Sequence, residues 1–242
     1  MAKKQIIDSQ TVFCFDRNIQ MRKKVFEYES ALEKYFNIPF QIINVPDEEL
    51  PDIPRFESRS KKGHSKIQVS QSRIALTTQY SNHFKDDPLE IKKYQMDRIG
   101  ALKPLIESEK TQFSGFVLSV DFPMENGLIN GYFKEHAGIA AINDGTIDCS
   151  FNYSHSFQDK FFTNVRCTKY SRKEIKIDPK QNEVTTVDTQ EFGIKVIIDI
   201  NSRLSFNKTR ECNQDLFGKV IDNVFKLVEE RSLTDFLNGN IL

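Results

Sequence analysis

The run Ser65-Lys66-Ile67-Gln68-Val69-Ser70, a short turn, and then Arg73-Ile74-Ala75-Leu76-Thr77-Thr78-Gln79-Tyr80 decides the fold class. Residues alternate in both arms. Ile67 and Val69 share one face of the first, and Ile74, Leu76, Thr78 and Tyr80 share one face of the second, which is the period of a half-buried strand. A helix follows. Asp86-Asp87-Pro88 sets acids at the positive end of a helix dipole and proline in its first turn. Ile91, Tyr94, Ile99, Leu102 and Ile106 then form one stripe to about residue 107, with the lysines, Gln95 and Asp97 mostly elsewhere. A hairpin followed by a long amphipathic helix predicts an α+β protein built on antiparallel sheet.

Working outward, residues 11–15 read as a strand, 23–36 as a short helix and 40–45 as extended. Residues 46–54 hold three prolines and four acids and read as an exposed connection. Beyond the helix, Phe116, Leu118, Val120 and Phe122 alternate in the cleanest strand of the chain. Residues 124–147 are glycine-rich and weakly patterned, mostly loop with room for a short helix or strand. Cys149, Phe151, Tyr153, His155 and Phe157 alternate again, and 161–170, 173–177, 184–187, 194–200 and 204–206 complete a second group of strands. Residues 214–230 carry the strongest helical stripe, with Asn213 placed to cap it, and 232–242 read as a short further turn. Two blocks result, 1–125 and 126–242, each a sheet with one long helix, joined as two units or as one continuous domain. Thr111-Gln112-Phe113-Ser114-Gly115 with Val120-Asp121-Phe122 can be laid on Thr189-Gln190-Glu191-Phe192-Gly193 with Ile198-Asp199-Ile200. Four identities and no repeat period leave a duplication open.

Composition excludes several classes. The 242 residues, 38% hydrophobic with twenty Phe, describe a chain able to bury a real core. Lys plus Arg and Asp plus Glu are balanced at 34 each, so any electrostatic partner must be read by a local patch. No apolar run approaches the ~18 residues of a membrane span, and the start Met1-Ala2-Lys3-Lys4-Gln5 leads into polar residues, so a cytoplasmic protein is expected. Cys14, Cys149, Cys167 and Cys212 lack C-x-x-C spacing and read as free thiols.

The densest charge signal is Arg55, Arg59, Lys61, Lys62, Lys66 and Arg73, six cations within nineteen residues opposed by Glu57 alone, with His64 on the same loop. Clustered cations suit a phosphate backbone. They also suit a solvated sheet edge guarded by lysines. Arg166, Lys169, Arg172, Lys173 and Lys176 would extend the patch if the two hairpins were adjacent, with Phe161, Phe162 and Tyr170 for base stacking. Asp121 and Asp199 lie mid-strand opposite the apolar stripe and would hold a divalent ion or an acid/base pair if they converged. Cys149 or Cys167 with His155 is the only nucleophile–base pairing to weigh, and it has no local signature. His64, His83, His136 and His155 lack zinc-site spacing, and no phosphate-binding glycine loop is present. No catalytic residue, metal ligand set or cofactor is therefore indicated.

The segments Ile53-Pro54-Arg55-Phe56, Ile67-Gln68-Val69-Ser70, Arg73-Ile74-Ala75-Leu76 and Tyr80, the long helix and the Gly115 strand resemble a sporadically distributed family of uncharacterised prokaryotic proteins of similar length. Val196-Ile197-Ile198-Asp199-Ile200 and a closing helix near Phe236-Leu237 resemble that family's C-terminal part. The resemblance brings no accepted activity. A patchy distribution implies a mobile, defence or toxin–antitoxin setting and an accessory role. The function expected is that of a non-enzymatic binding protein holding a protein partner, or a second copy of itself, through sheet faces, edges or a groove beside a helix. The alternative is a nucleic-acid-binding or nucleic-acid-processing component using Arg55, Arg59, Lys61, Lys62, His64, Lys66 and Arg73.

Overall fold

Along the chain the elements are β1 (Gln5–Cys14), α1 (Val25–Leu32), β2 (Gln41–Ile42), β3 (Pro54–Arg59), β4 (Ser65–Ser70), β5 (Arg73–Gln79), α2 (Pro88–Ser108), β6 (Phe113–Pro123), α3 (Asn126–His136), β7 (Ser150–Phe157), β8 (Phe161–Asp178), β9 (Glu183–Asn201), α4 (Arg203–Thr209), α5 (Asp215–Glu230) and α6 (Leu233–Asn238). The structure, a computed structural model, describes residues 4–80, 84, 87–140, 142, 143, 145–178, 183–211 and 215–241, with backbone only for 173–178 and 183–190. Asp86, Asn213, His83 and Cys212, and the side chains of Lys173 and Lys176, lie outside the described residues.

All nine strands pair antiparallel in one sheet of order β2-β3-β4-β5-β1-β6-β9-β8-β7. The α+β class read from the hairpin is the class of the molecule. The two groups of strands do not form separate sheets, because β1 pairs with β6 in the middle. Chain order repeats about that pair: a strand, a helix, a meander whose last strand returns to the first, and a long helix. In this order β6 matches β1 and opens the second half. The two Thr-Gln-x-x-Gly segments instead run into β6 and lie within β9, which are paired neighbours with Leu118 opposite Ile198.

One face of the sheet carries the core. Tyr28 of α1 meets Phe56 of β3, Phe225 of α5 stacks on Phe116 of β6, Phe133 of α3 meets Phe151 of β7, and Phe236 of α6 meets Phe122. These rings come from the alternate strand positions that the sequence pattern marks as apolar. α2 is seated by a polar contact as well. Gln95 is buried, its Nε2 within 3.1 Å of Ser9 Oγ, 2.9 Å of Thr78 Oγ1 and 2.7 Å of Tyr80 Oη. Its place off the apolar stripe misleads, since hydroxyls gather around its amide nitrogen, while its Oε1 finds no partner among the described residues. Among the described residues the opposite face bears no helix except α4, whose Phe206 meets Phe113 at one end.

Some elements differ from expectation. Residues 204–206 are helical, not extended: α4 follows β9 directly and closes at Arg210, which is left-handed with φ 59°. The weakly patterned stretch contains α3, whose buried face needs only Ile129, Asn130 and Phe133. The extended segment near residue 40 shrinks to the two-residue β2. At the other end, α6 is held by a capping box between Ser232 and Asp235.

Candidate functional site

The seven residues of the basic patch do not share one setting. Arg55 is fully buried. Its Nη1 donates to the Ile53 carbonyl at 2.6 Å, its Nη2 to the Glu49 carbonyl at 3.3 Å, and its Nε stands 3.6 Å from Asp47. Arg17 donates to the Asp47 and Glu49 carbonyls, and Arg22 to those of Ile43 and Val45. Arg22 also stands 3.5 Å from the Asp47 carboxylate and Arg73 Nη2 donates to the Asp52 carbonyl at 3.5 Å, so four guanidinium groups hold the proline-rich acidic connection down. A segment without strand partners still needs donors for its carbonyls, and these arginines supply them. Lys66 pairs with Glu57 at 2.8 Å. Although burial works the other way, hydrogen bonds from Lys66 and Gln68 hold the Glu57 carboxyl below its ordinary value. Arg73 is exposed but stands opposite Ser70, four residues or ~13 Å along β4 from Lys66. Arg59, Lys61 and Lys62 remain exposed and without an ion pair among the described residues, clustered where β3 turns into β4. His64 beside them is half-buried against the Phe84 ring.

The other candidate groupings do not assemble. β4 and β8 are five strand spacings apart, ~24 Å, so the two basic runs do not merge. Lys169 is buried, donating to the Thr146 carbonyl at 2.8 Å, while Arg166 is exposed. Asp121 and Asp199 share the helix-free face but lie opposite Lys195 and Val117, four residues or ~13 Å apart. Among the described residues no group of three His, Cys, Asp or Glu is placed to hold a metal. His155 lies opposite Thr163, four residues from Cys167, and burial pushes the Cys167 thiol up to about 12, so no activated nucleophile forms there.

Asp121 has a different setting, which its sequence context does not reveal. It is fully buried on the helix-free face, with Arg172 Nη2 2.5 Å from Oδ2. The Arg172 guanidinium lies 4.4 Å from the centre of the Tyr170 ring, and Tyr170 Oη donates to Glu191 at 2.9 Å. Gly193 is what lets the ring lie there. A Cβ at that position would come within 2.6 Å of Tyr170 and 2.5 Å of the Phe122 carbonyl oxygen. Burial raises the Asp121 pKa, with Arg172 and Lys195 opposing.

The edge of the sheet is the most open feature. β7 is its last strand and pairs with β8 without a bulge from Ser150 opposite Thr168 to Phe157 opposite Phe161. One step earlier, Lys169 N–H donates to the Cys149 carbonyl at 2.9 Å. In an antiparallel ladder directly bonded pairs alternate with unbonded ones. The backbones of Phe151, Tyr153, His155 and Phe157 therefore bond to β8, and those of Ser150, Asn152, Ser154 and Ser156 point away from it. Exposure alternates in the same phase, with those four residues exposed. No backbone hydrogen bond from the described residues reaches their outward groups. The strand contains no charge, proline or glycine. Underneath, Phe151 stacks on Tyr153, Tyr153 meets His155, and Tyr153 Oη donates to the Phe236 carbonyl at 2.8 Å, which fixes the strand on the helix layer. The other edge is different: β2 has two residues, and Pro39 and Pro46 flank it. Short, proline-flanked edges resist added strands, and long, flat, uncharged ones accept them.

The chain matches no protein-family model, and no curated protein is significantly similar to it. Among the described residues no helix is long and apolar enough to cross a membrane.

Proposed function

We propose that the protein is a non-enzymatic binding protein that adds an extended polypeptide segment, that of a second copy of itself, antiparallel to the β7 edge. The observation that carries this reading is the eight-residue, bulge-free edge whose four outward residues offer four N–H and four C=O groups. Main-chain bonding gives such pairing its affinity, and alternate side chains give it selectivity. Charge favours a second copy. In a two-fold pairing a strand faces itself, so any charged residue would oppose its own kind, and β7 has none. Sedimentation velocity across a range of concentrations tests the reading. The expected result is a monomer–dimer equilibrium that Asn152→Lys abolishes by placing like charges near the two-fold axis. A wild-type chain that stays monomeric at several hundred μM, a concentration that still detects Kd values of about 1 mM, would overturn it.

A second reading rests on Arg59, Lys61 and Lys62, three exposed cations at the β3–β4 turn. Nucleic-acid binding through them alone gives a log–log salt slope of about −2 to −3, since each neutralised phosphate contributes ~0.7–0.9. Absence of measurable binding at low salt removes this reading.

A further inference from the structure

Where β6 runs out, its last residues, the start of α3 and the turn between α5 and α6 enclose a groove of about 440 Å³. That volume lies within the ~300–1,000 Å³ of small-molecule pockets. Its apolar walls are Phe122, Met124, Leu128, Tyr132 and Leu233, and its charged lining residues are Lys4 and Arg231. No acid lines it. Glu229, whose charge acts on Lys4, and Asp235, on which the charge of Arg231 acts, both lie outside the lining. Leu128 is 54% exposed on the wall, and the Nε of Arg231 is buried without an acceptor among the described residues. Exposed apolar surface is unfavourable, and two cations on an apolar wall attract an anion. One kind of molecule suits both: an apolar body along Leu128 and Tyr132 with an anionic head on Arg231 and Lys4.

We propose that this groove binds an amphipathic monocarboxylate of the medium-chain fatty-acid type. No residue of β7 lines it, so the site is independent of the edge pairing. The competing explanation is that the two cations only cap α5. Lys4 Nζ donates to the Val228 carbonyl in the last turn of that helix, where its dipole attracts positive charge. Capping alone gives no affinity for a carboxylate.

Calorimetric titration of the full chain with octanoate, decanoate, decanol and decylamine separates the two. The expected result is one decanoate site per chain, with octanoate about fifteenfold weaker, because each methylene contributes about fourfold. Decanol and decylamine should bind at least tenfold more weakly than decanoate. Arg231→Gln should weaken decanoate about tenfold or more and leave decanol unchanged. Lys4→Gln, titrated in the same way, serves if Arg231→Gln does not fold, and the decanoate-to-decanol ratio needs no variant. No saturable decanoate binding below about 1 mM, equal affinity for decanol, or an unchanged decanoate affinity in the folded variants would overturn the proposal. A variant that melts lower yet binds decanoate as the wild type does assigns the cations to capping alone.

Discussion

Ser154 and His155 are neighbours in β7, yet proline at these positions is expected to give opposite results. The alternation anchored by the Lys169–Cys149 bond makes the His155 N–H a donor to β8, opposite Thr163, and turns the Ser154 N–H outward. His155→Pro removes a ladder bond and leaves an acceptor on the buried Thr163 side unpaired, at a cost of about 1–3 kcal/mol. At about 2–4 °C per kcal/mol for a chain of this size, Tm should fall by roughly 2–12 °C. Ser154→Pro loses no internal bond, since proline is tolerated where an edge N–H faces solvent, and Tm should move by no more than about 2 °C. Association reads the other way. Four outward residues on each strand contribute at most about 4–12 kcal/mol at ~0.5–1.5 per hydrogen bond, against an association cost of about 4–15. The margin is small, so a missing donor and a ring in the seam should weaken dimerisation more than tenfold. Scanning calorimetry and sedimentation velocity on both variants check this. If Ser154→Pro melts as low as His155→Pro, the assignment of outward residues is wrong. If it melts and dimerises like wild type, β7 is not the pairing edge.

Gly193→Ala should cost about 1–3 kcal/mol, because the added carbon meets the Phe122 carbonyl oxygen at 2.5 Å and Tyr170 at 2.6 Å; a Tm within 1 °C of wild type would show that the backbone yields. Arg55→Gln should destabilise by about 2–5 kcal/mol, while Lys61→Gln and Lys62→Gln should stay within about 0.5 kcal/mol in urea denaturation. An unchanged midpoint for Arg55→Gln would mean that the acidic connection does not depend on it. For Asp121 the folded-state pKa is raised, so its contribution to stability is fully present below the ordinary carboxyl value of about 3.9 and is lost as pH rises through the folded value. Asp121→Asn abolishes that loss, so its Tm relative to wild type should be higher at pH 7 than at pH 3; the reverse trend would place the Arg172 pairing above burial.

Local pattern revealed those parts of the fold with one helix-covered face. β4, β5 and β6 alternate in residue type because one face meets helices, although Ala75, Ser119 and Asp121 are buried on the other, and α2 and α5 carry stripes where one side packs on the sheet. α3 was hidden because its three buried positions lie among glycines and charges. α4 was misread because Leu204 and Phe206 fall two apart, a spacing that a strand and a single helical turn both satisfy when nothing is buried. Gln95 breaks its stripe because burial there depends on three hydroxyl-bearing partners, two of them on β5 or just beyond it, which a helical wheel does not contain.

The candidate site was less legible, for a reason that separates its two halves. A cation's role depends on which carbonyls and carboxylates come near it, and for Arg55 these belong to the loop that precedes it. That much was inferable locally: a stretch with three prolines and four acids has few ladder bonds of its own, and its carbonyls require donors from somewhere. The edge was not inferable in that way. Ser-Phe-Asn-Tyr-Ser-His-Ser-Phe reads as a strand with one polar face whether it lies in the middle of a sheet or at its end. Its place at the end follows from β9 returning to pair with β6, a contact that commits β8 and then β7 to the outside. Only the absence of lysine and proline from β7 carries a local trace of its role. That absence bears on binding because an edge left unguarded by both sequence and fold must be protected by something else, and an added strand is what its geometry accepts.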